Sequence, residues 1–156
     1  TKPPRINTLS IMPVELELIS ANRGEEMAKP KITWKIQSWG LYTAWDRQAR
    51  VLPEIQEFTD KIPALPGVEF GYILQIKKAR GKQIHFTIEH PPFLDKDDQP
   101  TPPFTGEVYV RSNDWQFFLG DTIWEPVEDK CGPWRLIVAL EGEVMADKTF
   151  LIVEES

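Results

Sequence analysis

The six tryptophans of this chain are the residues best suited to contact chemistry, and their settings differ. Trp39, Trp45, Trp115 and Trp124 fall near strand ends or loops. There a stiff aromatic plane can stack on a sugar ring or anchor a protein partner. These four are the candidate ligand-binding residues. Trp34 and Trp134 instead stand in register with apolar neighbours and are expected in the core. The competing reading gives the first four a packing role too, because so large a side chain readily plugs the ends of a β-sandwich.

The polar candidates carry less. Asp95-Lys96-Asp97-Asp98-Gln99 looks like the start of a calcium loop. Such a loop needs Gly at its sixth position and Glu at its twelfth, where this chain has Pro100 and Gly106. His85 and His90 would face opposite sides of a shared strand, and neither has a cysteine at ligand spacing, so no metal site is expected. Cys131 sits in the turn-like Asp129-Lys130-Cys131-Gly132-Pro133 and reads as a small packed hydrophobe rather than a nucleophile. There is no G-x-S-x-G elbow, Gly-rich phosphate loop or H-E-x-x-H. No catalytic residue and no cofactor is assigned, and a non-enzyme is expected. Paired carboxylates for glycoside hydrolysis depend on a separation that only the fold sets, which keeps an uncharacterised hydrolase as the second alternative.

Charge and composition narrow the partners. The net charge of −6, from 24 acidic and 18 basic residues, repels phosphate backbones and argues against nucleic acid. The basic run Lys77-Lys78-Ala79-Arg80-Gly81-Lys82 reads as a solvated turn between strands. A single cysteine permits no intrachain disulfide, which favours a reducing compartment and a cytoplasmic location. No apolar run approaches the roughly twenty residues that a bilayer requires, so no membrane association is expected. The stretch from Ile11 to Ile19 is interrupted by Glu15 and Glu17 and lacks a charged leader, so it is no signal peptide.

The elements that must position these residues are strands. Fourteen prolines against nine glycines disfavour long helices. From Lys31 the hydrophobic period is two: Ile32, Trp34 and Ile36 alternate with polar neighbours, as a half-buried strand requires. Val68, Phe70, Tyr72, Leu74 and Ile76 alternate most cleanly, followed by Ile84, Phe86 and Ile88. The break at Gly81 predicts that these two runs form an antiparallel hairpin. Further strands are expected near Thr105 to Arg111, Trp115 to Leu119, Trp134 to Leu140 and Val144 to Val153, the last two joined around Glu141-Gly142-Glu143. About seven strands with turn signals at this spacing predict one antiparallel sandwich. Val51 to Lys61 is expected as a loop with one helical turn, because Val51, Leu52, Ile55 and Phe58 fall near helical spacing. His90 to Pro103, rich in Pro and Asp, is expected as a polar exposed loop.

Residues 1–30 lack sustained periodicity and are read as an N-terminal extension to a β-sandwich domain over residues 31–156. Asn22-Arg23-Gly24-Glu25-Glu26 stands just before Met27, and Arg, Gly and Glu can all be written in purine-only codons. One reading takes Met27 as the natural start, with the preceding residues a translated ribosome-binding region. The other takes the segment as a genuine arm. In that case Ile11, Val14, Leu16 and Leu18 supply the apolar residues of an added edge strand.

Several local patterns are shared with a known family. They are Gly40-Leu41-Tyr42; Ile62-Pro63 with Gly67 and Phe70-Gly71; His90-Pro91; Gly132-Pro133-Trp134; and Phe150-Leu151-Ile152. In this order, over Lys31 to Val153, they resemble an uncharacterised bacterial domain-of-unknown-function family with an immunoglobulin-like β-sandwich. The resemblance implies that fold and carries over no catalytic or ligand residue.

The expectation is therefore an all-β, immunoglobulin-like antiparallel β-sandwich of about seven strands. It acts as a non-catalytic binding or structural interaction module of bacterial origin with a protein partner, and an edge strand offers a route to a homo-oligomer. The first alternative is a carbohydrate-binding module that uses exposed tryptophans.

Overall fold

Residues 5–7, 31–44 and 51–155 are described by the computed structural model. The alternating runs become strands that stack as two sheets. In chain order they are β1 (Arg5–Asn7), β2 (Thr33–Tyr42), β3 (Ile55–Glu57), β4 (Lys61–Pro63), β5 (Glu69–Lys77), β6 (Gln83–Glu89), β7 (Phe104–Tyr109), β8 (Asp114–Thr122), β9 (Gly132–Leu140) and β10 (Glu143–Val153). The first sheet runs β1-β8-β5-β2-β3 and the second β4-β10-β9-β6-β7. All neighbours are antiparallel except β4, which lies parallel to β10. The seven predicted strands are all present, and three three-residue strands, β1, β3 and β4, add to them. Pairs this short carry almost no periodic signal, which is why pattern reading does not find them.

Phe70, Tyr72, Leu74 and Ile76 of β5 face Trp134, Leu136 and Val138 of β9 within one buried cluster. The Tyr72 hydroxyl donates to the Leu136 carbonyl at 2.9 Å, a bond from the first sheet to the second through the core. Burial pushes that phenol well above its ordinary pKa, so it remains a donor. In β2 a bulge between Ile36 and Ser38 shifts the inward parity from Trp34 and Ile36 to Trp39 and Leu41. Trp34 is half-buried against the core rather than fully enclosed.

The predicted hairpin of β5 and β6 does not form. β5 is the central strand of the first sheet, with β2 on one side and β8 on the other, so no edge remains for β6. The chain crosses to the second sheet instead. Its turn is tied to the neighbouring crossing from β7 to β8: Lys78 N–H donates to the Asn113 carbonyl, Gly81 N–H to the Val110 carbonyl, and Arg80 N–H to Asn113 Oδ1. Lys77, Lys78, Arg80 and Lys82 are exposed on this turn, while Ala79 is buried. The β9–β10 hairpin does form. Its two-residue turn, Glu141-Gly142, has positive φ at both positions (49° and 84°), the mirror-image geometry that matches strand twist.

Val51 to Lys61 contains no helical turn. Leu52 and Ile55 lie over Tyr42, Ile73 and Phe118 on the outer face of the first sheet, forming a second small core. This cover explains why β5 is buried on both faces along most of its length. Residues 1–30, read as lying outside the domain, contribute β1, whose Ile6 pairs with Leu119 on the edge beside β8. The edge strand suggested for Ile11 to Leu18 lies outside the described residues.

Candidate functional site

Among the described residues, the structure does not gather the candidate tryptophans Trp39, Trp115 and Trp124 on one platform. Trp115 is fully buried, stacked on Phe117 with centroids 5.3 Å apart, because its position in β8 points inward. It is a core residue and presents no face to a ligand. Trp39 is half-buried at the middle of β2, edge-on to Phe58 at 4.8 Å and with Lys148 Nζ 5.3 Å from its ring centre. Trp124 is half-buried beyond the end of β8, against Phe93 and Trp134. Trp45 lies outside the described residues.

The family-like motifs, by contrast, converge. Gly40-Leu41 of β2 pairs with Phe70-Gly71 of β5, Gly40 opposite Gly71 and Leu41 opposite Phe70. Phe70, Trp134 and Phe150 meet edge-to-face, with Phe70 5.6 Å from each of the other two rings. Ile62 pairs with Ile152. Pro91 lies 3.0 Å from where a side chain at Gly132 would start, a position with φ of +127°. Each motif is weak by itself, yet together they build one end of the sandwich.

At that end an unexpected group is enclosed. Lys130 is only 2% exposed. Its ammonium donates to the Pro126 carbonyl at 2.9 Å and Asp129 Oδ1 at 2.6 Å, and it lies 4.6–4.8 Å from the ring centres of Trp124 and Phe93. A buried cation held this way has its charge answered by a carboxylate, a carbonyl and two π faces. The Trp134 indole N–H donates to the Lys130 carbonyl at 2.8 Å. Phe93 comes from the His90–Pro103 segment, so that loop is not wholly polar and exposed. His90 fastens its two ends, with Nδ1 at 2.8 Å from the Pro91 carbonyl and Nε2 at 2.9 Å from the Pro102 carbonyl. No sequence signal marks Lys130 as interior, since lysine is almost always exposed. A lone Phe among prolines and aspartates is the one hint for Phe93.

The other polar candidates are occupied locally. Asp95 Oδ1 accepts the backbone N–H groups of Asp97 at 2.8 Å and Gln99 at 3.0 Å, which holds its carboxyl below the usual carboxylate range. Through Oδ1 it shapes its own loop. We expect Asp95→Ala to free the Asp97 and Gln99 amides, read as faster hydrogen exchange confined to this loop. A depressed folded pKa means that the capping contribution is present above the unfolded value. The wild-type loop should therefore lose its protection as pH falls through and below the ordinary carboxylate range. Unchanged exchange in the variant would remove this role. His85 is exposed beside Glu107 at 3.3 Å. Cys131 is half-buried, with Sγ 3.7 Å from the Val127 carbonyl, and its pKa is pushed up by burial and by Glu154, Glu128 and Asp129. A raised thiol pKa opposes nucleophilic use. Among the described residues no cluster of three or more His, Cys, Asp or Glu could hold a metal.

None of the curated proteins matches this chain. Among solved structures it is similar to an immunoglobulin-like protein from Pseudomonas aeruginosa, at 22% identity and a TM-score of 0.66, over 81% of this chain and 99% of that one. This establishes the immunoglobulin-like fold. It also overlaps a family 123 glycoside hydrolase from Clostridium perfringens at 11% identity and a TM-score of 0.36, over 80% of this chain and 28% of that one, a likeness too low to bear on activity. Residues 30–152, well over half of the sequence and including every motif of the sandwich end, match the domain of unknown function DUF3859, and the chain belongs to that family.

Proposed function

We propose that this domain is a non-catalytic protein-interaction module that captures an extended segment of a partner by strand addition at β7. The observation that carries the reading is the edge itself. β7 closes the second sheet, pairs with β6 alone among the described strands, and offers six residues, against three in each other edge strand. Val110 N–H donates to the Lys82 carbonyl, so by antiparallel parity the main-chain groups of Thr105, Glu107 and Tyr109 point away from β6. A row of unpaired donors and acceptors is a template for another strand. Tyr109, 61% exposed on the same edge, supplies an amphipathic anchor.

A binding role is further supported by how the groups with displaced protonation are used. Tyr42 meets Ser38, Tyr72 the Leu136 carbonyl, Asp147 the Arg135 guanidinium, and Asp95 its own loop. Each serves a separate structural contact, whereas catalysis needs such groups to converge on one opening. The free thiol of Cys131 favours a reducing compartment for this activity.

The test is Glu107→Pro. Proline at an outward-facing edge position removes the N–H offered to a partner while sparing the main-chain bonds to β6, and it gives up only the exposed side-chain contacts of Glu107 with Gln83 and His85. Proteins retained from a native-organism lysate by the unaltered domain should be lost with the variant, at an unchanged melting temperature. Sedimentation of both forms reads the homo-oligomer case, in which a second copy fills the edge. Equal retention and equal association state in the two forms would sink the proposal.

A further inference from the structure

We infer that the cleft between the Ala64–Pro66 turn and the Glu125–Glu128 loop is a docking site for a cationic, apolar segment of a partner protein. This surface is separate from the β7 edge and does not depend on strand addition.

The cleft is built from two braced walls. On one side the chain leaving β4 turns sharply: Ala64 N–H donates to the Val153 carbonyl, Leu65 N–H to the Pro63 carbonyl and Val68 N–H to the Leu65 carbonyl. That turn is joined to the chain after β8, since Gly67 N–H donates to the Ile123 carbonyl and Ile123 N–H to the Val68 carbonyl. On the other side Lys130 braces the wall from within, its ammonium on the Pro126 carbonyl and its backbone N–H on the Val127 carbonyl. Two of the wall residues, Pro66 and Pro126, have backbones with little freedom to lose on binding.

Between the walls lies an open cleft of about 490 Å³ whose apolar surface comes from Leu65, Pro66, Pro126 and Val127. Leu65 remains 44% exposed there. The rim is acidic. Glu125 and Glu128 line the cleft. Asp129 and Glu154 act with Glu128 on Cys131, whose sulfur meets the Val127 carbonyl beside it. The cation of this stretch, Lys130, is turned inward, so its charge is spent on Asp129 and Pro126 and not on the rim. Among the described lining residues the charge is of one sign. An apolar surface bounded by carboxylates is complementary to a segment that carries Lys or Arg on either side of a Leu-like residue. Burial of the apolar side chain gives affinity, and the rim charges give steering and register.

The probe is acetyl-Lys-Pro-Leu-Pro-Lys-amide titrated into the ¹⁵N-labelled domain at low ionic strength. Its alternating prolines prevent it from extending a sheet, so binding here is distinguishable from binding at β7. The expected result is saturable shifts at the Leu65, Gly67, Val127 and Glu128 amides. Affinity should fall about fivefold in Glu125→Gln/Glu128→Gln, the scale that two rim-exposed charge contacts supply. The same peptide with Glu in place of Lys should leave these amides unmoved. Leu65→Asn should weaken binding while preserving the acidic rim. Both variants alter exposed side chains, and unchanged resonances away from the cleft report an intact fold. Any of three results would overturn the proposal: no localised shifts at millimolar peptide, equal shifts with the acidic peptide, or equal affinity in the double variant.

Discussion

Truncation of Trp134 to alanine is expected to destabilise the domain by about 3–5 kcal/mol, the cost of removing a large buried aromatic. The side chain is fully buried and adjoins four other rings, Phe70, His90, Phe93 and Trp124, at centroid separations of 5.6 to 6.3 Å. Its loss opens a cavity at the junction of the family motifs and also leaves the Lys130 carbonyl without its indole donor. Trp134→Phe separates the two effects. It keeps much of the aromatic volume while removing the donor, so it should cost less, about 1–3 kcal/mol. Denaturant unfolding monitored by dichroism reads both. A loss below about 1 kcal/mol in the alanine variant would show that this end of the sandwich is not where its stability resides.

Replacement of Gly71 by alanine should be comparably severe, although it adds one methyl group. Gly40, Gly71 and Gly120 stand in one row across β2, β5 and β8. A Cβ at Gly71 would lie 2.2 Å from the Leu119 carbonyl oxygen, and that backbone is held on both sides. The φ of +151° adds strain for an L side chain. Overpacking and backbone strain, about 1–3 kcal/mol each, together predict a loss of about 3–5 kcal/mol. Gly67→Ala is the control. Its φ of +91° is likewise foreign to alanine, but beyond its own chain neighbours no atom lies within 4 Å of the new methyl. It should lose only the conformational part, about 1–2 kcal/mol. Equal destabilisation of the two variants, read from urea midpoints, would show that the close approach across the sheet does not matter.

Residue order alone specifies the all-β class, the seven long strands and much of the inward face. Period-two alternation is a local property: once Phe70, Tyr72, Leu74 and Ile76 share a side, that side must be covered. It likewise determined the β9–β10 turn, because Glu141-Gly142 carries its backbone requirement in its own residues. Apart from that hairpin, which strands are neighbours is settled only when the sheets assemble. The run from β5 to β6 looks like a hairpin until β2 and β8 are seen to occupy both sides of β5. Leu52 and Ile55 look helical until the outer face that they cover exists. Trp115 looks terminal until its position in β8 turns it inward, and Lys130 looks solvated until Phe93 arrives from a distant loop and Trp124 of its own segment folds against it. The β7 edge and the acidic cleft were illegible for the same reason. An edge is defined by the neighbour that a strand lacks, and a cleft by loops that meet only after the sheets stack. Local spacing encodes which face of a strand is apolar, but not what lies against it.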